Sequence, residues 1–234
     1  MDRTEAIVQK ALQHMGFSNI VYEPNGNIPP DFLVNGQIAV EARRLNQNVI
    51  SGNVRRGLEQ DSIPLGRMVK RVAQSLGPPT QGKSWFLSYK YARPVESLKT
   101  LEPKIRKALQ GFIASNSATR STIKVSKNFW LEIDPAGKAR PTFYVVAVVA
   151  DQDSGGFLVA EVGKNLQLCI QEKTAKIAAH KAKYSEWWLM LPDYIGHALD
   201  SYDRDQFRKE ISIQHSWDKV ILIDPYDPSN VLKL

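Results

Sequence analysis

Residues 29–45 read Pro29-Pro30-Asp31-Phe32-Leu33-Val34-Asn35-Gly36-Gln37-Ile38-Ala39-Val40-Glu41-Ala42-Arg43-Arg44-Leu45, and this stretch decides the fold. Asn35-Gly36 separates two strand-like runs, Asp31 to Val34 and Gln37 to Ala42. Asn and Gly tolerate the positive φ values that a tight turn needs, so the two runs are expected to pair as an antiparallel hairpin. Asp31 opens the first strand and Glu41 lies near the end of the second, so the pairing draws two carboxylates towards one another. Counted from a turn at Asn35-Gly36 their offsets are unequal, and a bulge or skew is expected to make them converge. Two facing carboxylates repel unless a cation neutralises them. Oxygen ligands suit Mg²⁺ (or Mn²⁺), which keeps several waters and takes one or two carboxylates plus substrate phosphate. Arg43 lies two residues beyond Glu41, so on a strand both side chains share a face. A cation there can stabilise the charge that develops in phosphodiester cleavage. The competing reading has Asp31 capping a turn and Glu41 paired with Arg43 or Arg44 at the surface.

Upstream of this hairpin, Ile7, Val8, Ala11, Leu12 and Met15 recur at helical spacing, which predicts a helix over Thr4 to Met15 ended by Gly16. Phe17 to Tyr22 is expected as a strand and EPNGNIPP as a turn-rich loop. Downstream, residues 46–62 are polar and glycine-containing, a loop by composition. Helices are expected over Ile63 to Leu76, Leu98 to Ala114 and Leu166 to Lys183. Strands are expected at Trp85 to Tyr91, Thr122 to Ile133, Thr142 to Ala150, Trp187 to Leu191 and Val220 to Ile223. Mixed strands and helices without repeats indicate a layered α/β fold.

The chain has 234 residues and a net charge of +7, unevenly spread. Glu41 to Phe143 holds 19 Lys and Arg against 7 Asp and Glu, or +12, and the rest of the chain nets −5. Such asymmetry points to a polyanionic partner, nucleic acid before an anionic membrane or an acidic protein. Arg67, Lys70 and Arg71 cluster on one helix face, and with Arg44, Arg55 and Arg56 they are the candidate contacts to the phosphate backbone. No apolar run approaches the ~20 residues of a membrane helix. The charged N-terminus lacks the pattern of a signal peptide, and Cys169 is the sole cysteine. A cytoplasmic protein is therefore expected, with Cys169 in the core.

Asp31 after Pro30, followed by Glu41-Ala42-Arg43 on the next strand, resembles the motif of the PD-(D/E)XK nuclease superfamily. The resemblance extends over residues 1–45 and 164–224, where EKTAKIAAHKAKYSEWWLMLPDY is similar to the helix and following strand of bacterial members. It implies a restriction-endonuclease-like α/β core in the order helix-strand-strand-strand-helix-strand, a central mixed sheet flanked by helices. Residues 46–163 would then be a basic insertion. It further implies a Mg²⁺-dependent nuclease acting on DNA or RNA, with Asp31 and Glu41 on the metal. Glu5 matches an acidic residue that some members place beside that metal. The departure is Arg43, where most members carry lysine. Arginine stays protonated and cannot act as a base, though its guanidinium can hold a phosphate at two points. Lys173 or Lys176, on the later helix, could supply the displaced ammonium. If Arg43 ends catalysis, the alternative is a nucleic-acid-binding module of the same fold.

A second alternative is a P-loop NTPase. Gly77-Pro78-Pro79-Thr80-Gln81-Gly82-Lys83-Ser84 fits the phosphate-loop pattern letter for letter. That loop must follow a strand and open a helix, whereas here a helix is expected before it and a strand after it. Pro78 and Pro79 also remove two amide donors from the cradle.

Overall fold

A computed structural model of the protein describes residues 1–51, 54–79 and 82–234, the side chains of residues 50, 51, 54 and 55 aside. The chain divides into two units, residues 1–48 with 155–234, and residues 49–154. The first segment carries α1 (Arg3–His14), β1 (Ile20–Tyr22), β2 (Pro24–Asn27), β3 (Phe32–Val34) and β4 (Ile38–Ala42). The middle segment carries β5 (Asn48–Ser51), β6 (Val54–Gly57), α2 (Glu59–Ser75), β7 (Trp85–Tyr91), α3 (Leu98–Ser115), β8 (Ser121–Ser126), β9 (Phe129–Pro135) and β10 (Tyr144–Asp151). The last carries α4 (Leu158–Ile177), a 3₁₀ turn (Ala178–Lys183), β11 (Glu186–Pro192), α5 (Ser201–Glu210), β12 (Lys219–Ile223) and β13 (Val231–Lys233).

The first unit is built on a mixed sheet in the order β1-β3-β4-β11-β12-β13, with β4, β11 and β12 parallel to one another and the other pairings antiparallel. A strand buried on both faces must be apolar on both, and β11 (EWWLMLP) is. Trp187, Leu189 and Leu191 pack with Val162, Leu166, Cys169 and Ile170 of α4 and Phe207 of α5. Trp188 and Met190 face the other way, onto Val8, Ala11 and Leu12 of α1. Each fully buried Val, Leu, Ile, Phe or Met side chain among these contributes about 1.5–3 kcal/mol. The start of α1 is set by Asp2, whose side chain accepts from the Glu5 amide while the Glu5 carboxylate accepts from the Asp2 amide. Among the described residues no helix is long and apolar enough to cross a membrane.

The second unit has a four-stranded sheet, order β10-β7-β9-β8, and a two-stranded β5-β6 pair. Its core joins one face of the larger sheet, through Trp85, Leu87, Tyr89, Leu131 and Ile133, to Leu65, Met68 and Val69 of α2 and Leu101, Ile105 and Leu109 of α3. It carries 17 Lys and Arg against 8 Asp and Glu, a net +9, so the other unit nets −2 and the chain +7.

Several expected elements differ in detail. Thr122 to Ile133, expected as one strand, is the hairpin β8-β9, because Lys127-Asn128 turns the chain. Residues 46–62, expected as a loop, hold β5, β6 and the first turn of α2. The turn-rich EPNGNIPP contains β2, and α4 begins at Leu158 rather than at Leu166. The helix α5 escapes pattern reading because SYDRDQFRKE buries only Phe207.

Candidate functional site

The hairpin pairs Phe32 with Val40, Leu33 with Ala39 and Val34 with Ile38. Continuing that register by one residue sets Asp31 opposite Glu41. The loop is therefore three residues long, Asn35, Gly36 and Gln37, with Asn35 and Gly36 at φ +52 and +72 and the Gln37 amide donating to the Val34 carbonyl. Gln37, expected as the first residue of the return strand, belongs to the turn. The two carboxylates are then equally far from Gly36, and the expected bulge or skew is not needed.

Side chains alternate along β4, so Glu41 points to the same side as Ala39, which lies in the core shared with α4. Glu41 is fully buried. Asp31 is partly exposed, and its Oδ2 accepts a hydrogen bond from the Ala42 amide at 2.7 Å. Two lysines of α4 meet this pair. Lys173 Nζ donates to Glu41 Oε2 at 2.6 Å and stands 3.6 Å from Asp31 Oδ2. Lys176 Nζ donates to the same Glu41 oxygen at 3.0 Å and stands 3.6 Å from Asp31 Oδ1. Residues three apart on a helix share a face, which is why both ammonium groups reach one spot. Lys173 is buried, whereas the Lys176 side chain is 42% exposed. Burial pushes the Lys176 ammonium towards the neutral form, but its hydrogen bond to Glu41 and the charges of Glu41 and Asp31 outweigh this and raise its pKa. Lys176 is thus a cation at neutral pH. The surface alternative for Glu41 fails, since Glu41 is fully buried and its partners are the ammonium groups of Lys173 and Lys176, not Arg43 or Arg44. One atom is left over. Glu41 Oε1 is buried and has no hydrogen-bond partner among the described residues. Leaving such an acceptor unpaired costs about 1–3 kcal/mol.

The remaining expected residues lie elsewhere. Arg43 turns to Glu172 of α4, with Nε 3.2 Å from its Oε1, and Nη1 donates to the Arg44 carbonyl. It shares the Glu41 side of the strand, as alternation requires, but its guanidinium is taken by this ion pair. Glu5 is not brought to the carboxylate pair. Its oxygens accept from the Asp2 amide and the Tyr22 hydroxyl, because the helix cap holds it at the start of α1. Among the described residues no three His, Cys, Asp or Glu side chains form a group that could hold a metal. Asp31 and Glu41 offer two carboxylates, and Mg²⁺ needs no more from a protein when water and phosphate complete its shell. The unpaired Glu41 oxygen fits that role.

Arg44 lies with its guanidinium carbon 3.8 Å from the centroid of the Tyr194 ring, so it packs within its own unit. In the second unit Arg56 pairs with Asp61 and Arg71 with Glu102, while Arg67 and Lys70 are exposed on α2. The Arg55 side chain lies outside the described residues. The phosphate-loop pattern joins α2 to β7, the reverse of the strand-to-helix order it needs, with Thr80 and Gln81 outside the described residues. Its Ser84 is buried and committed, donating to the Thr142 carbonyl at 2.8 Å and accepting from the Arg140 amide. That hydroxyl is not placed to meet a metal–nucleotide complex.

No family model, no curated protein and no solved structure matches this chain.

Proposed function

We propose that the chain is a metal-dependent nuclease, acting on DNA in the first place, whose site is Asp31, Glu41, Lys173 and Lys176. The observation that carries this reading is the pair of carboxylates facing two ammonium groups, one of them buried, with a buried Glu41 oxygen left unpaired. A buried carboxylate oxygen with no protein partner among the described residues is a place for a ligand atom or a water. Further support comes from the order α1-β1-β3-β4-α4-β11, which agrees with the helix-strand-strand-strand-helix-strand order that the PD-(D/E)XK resemblance implies.

Asp31 and Glu41 would hold the metal, which supplies Lewis acidity and a bound water of lowered pKa. Lys173, buried beside Glu41, holds that carboxylate in its rotamer and offsets part of its charge. Lys176, half-exposed beside both carboxylates, would present its ammonium to a phosphate oxygen. The lysine that the motif lacks at Arg43 would thus be supplied from α4, and Arg43 serves by fixing α4 through Glu172. A second reading is favoured by the 2.6 Å contact of Lys173 with Glu41, which neutralises the carboxylate without metal. It is a nucleic-acid-binding module of the same fold that does not cleave. The test is an incubation of the full chain with single- and double-stranded DNA and RNA in Mg²⁺ or Mn²⁺. Cleavage is expected, reduced at least ~100-fold in Asp31→Asn and in Glu41→Gln. Cleavage undiminished in those variants would sink the site, and binding without cleavage by the wild type would leave the module.

A further inference from the structure

The four-stranded sheet of the second unit packs only one face on its helices. Along β7 burial alternates, with Trp85, Leu87, Tyr89 and Tyr91 inward and Phe86, Ser88 and Lys90 outward. Along β9 the inward residues are Phe129, Leu131 and Ile133, and Trp130, Glu132 and Asp134 face out. The register sets Trp130 between Lys90 of β7 and Lys124 of β8. Both ammonium groups lie over its ring, at 5.6 and 5.7 Å from the centroid. Phe86, further along the same face, has the Arg140 guanidinium 5.9 Å from its own centroid. The face also carries Glu132 and Asp134, but Arg120 reaches both, at 3.4 and 3.2 Å, and Lys90 stands 3.9 Å from Glu132. Four cations, Arg120, Lys90, Lys124 and Arg140, thus meet two acids on this face, a net +2, and Lys124 and Arg140 stay exposed without an ion pair among the described residues.

Trp130 is the exception among five tryptophans, for Trp85, Trp187, Trp188 and Trp217 are all buried. An indole left partly open on a β-sheet and ringed by cations gives up burial that the other four obtain. An aromatic surface with flanking cations matches one ligand chemistry, that of a base stacked on the ring with its phosphates on the cations. Duplex bases are already stacked on one another and do not offer a free face. The unit's net charge of +9 supplies the complementary field.

We infer that this outer sheet face binds single-stranded nucleic acid, with one base stacked on Trp130, a second on Phe86, and phosphates held by Lys90, Lys124 and Arg140. The inference stands apart from the carboxylate–lysine site, since it needs neither metal nor cleavage. The experiment uses the full chain in EDTA, titrated with a dodecamer of thymidylate, a dodecamer of uridylate and a duplex of equal length. Binding of either single strand should quench tryptophan fluorescence, and the two arms distinguish DNA from RNA. Trp130→Leu should lose the quenching and weaken binding at least about fivefold. Lys90→Gln/Lys124→Gln leaves the ring in place, so it should keep the quenching yet flatten the dependence of log K on log salt by about 1.4. Circular dichroism of both variants checks the fold, and the charge variant removes no core packing. Unchanged affinity in both variants, tighter binding of the duplex than of either single strand, or displacement of the oligonucleotide by polyglutamate at equal charge would overturn it.

Discussion

Each unit contains a buried cluster of opposite charges, and the two are finished differently. In the second unit Arg93 donates from both Nη atoms to Asp151, at 2.7 and 2.9 Å, from Nε to Asp61, and from Nη2 to the Leu58 carbonyl. The Tyr91 hydroxyl and the Asp153 amide complete Asp151, so both carboxylate oxygens have two partners. In the first unit, one oxygen of Glu41 is approached by two lysines and the other by nothing among the described residues. Guanidinium is a planar fork matched to a carboxylate, whereas ammonium is a compact charge that can exchange partners. The closed network of the second unit ties Arg93 to Asp61, Asp151 and the Leu58 carbonyl; the cluster with an unpaired oxygen is left open to a further ligand.

The sharpest break in this contrast is predicted for stability. Arg93→Ala leaves Asp151 buried without its partner and should destabilise the protein by about 3–5 kcal/mol in denaturant unfolding. A loss below about 1 kcal/mol would show that the closed network is not structural. Next in size is the double replacement Glu41→Leu/Lys173→Met, which removes a buried pair together with its unpaired oxygen. It should be neutral or stabilising by about 1–4 kcal/mol. A loss of more than about 2 kcal/mol would make this cluster as structural as the other.

Acid should weaken the closed network as well. Burial pushes the Asp151 carboxyl up, but hydrogen bonds from Arg93 and Tyr91 outweigh this and hold it below its ordinary value of 3.8. A depressed carboxyl stabilises the fold fully above its unfolded pKa and loses that contribution as pH falls through the folded one. Unfolding followed below pH 3.8 should therefore show an acid limb that is shallower in Asp151→Asn. The smallest effect is expected at Arg43, whose partner Glu172 is 46% exposed. Arg43→Lys should change stability by no more than about 1 kcal/mol and leave any cleavage activity within about twofold. A gain of tenfold or more would return the catalytic cation to that position.

The hairpin was legible because Asn35-Gly36 has few alternatives, and Asp31 and Glu41 came with it. Its register was not, since Gln37 reads as a strand residue until the three-residue loop is seen. The two lysines were nameable only as candidates. Yet Lys173 falls on the buried stripe of α4 with Leu166, Cys169, Ile170 and Ile177, and a charged residue at such a position must have a partner. That periodicity was the available signal. Glu5 misled because an acidic residue in the first turn of a helix serves a capping box equally well. Arg43 misled because sharing a strand face with Glu41 does not say which way a long side chain turns, and Glu172 lies far away in sequence. The basic bias of the middle segment was visible, but its placement on an outer sheet face depends on the order β10-β7-β9-β8, which no local pattern encodes.

The open cluster is tested most directly by metal-dependent melting. Mg²⁺ or Mn²⁺ held by Asp31 and Glu41 binds the folded chain only, so at a hundredfold excess over Kd it should add about 2.7 kcal/mol and raise Tm by about 5 °C or more. In Asp31→Asn and in Glu41→Gln the rise should largely vanish, and in the double variant little further should be lost, because both carboxylates act through one ion. A rise in Tm that persists undiminished in both single variants, or no rise in the wild type, would contradict a metal site on this hairpin.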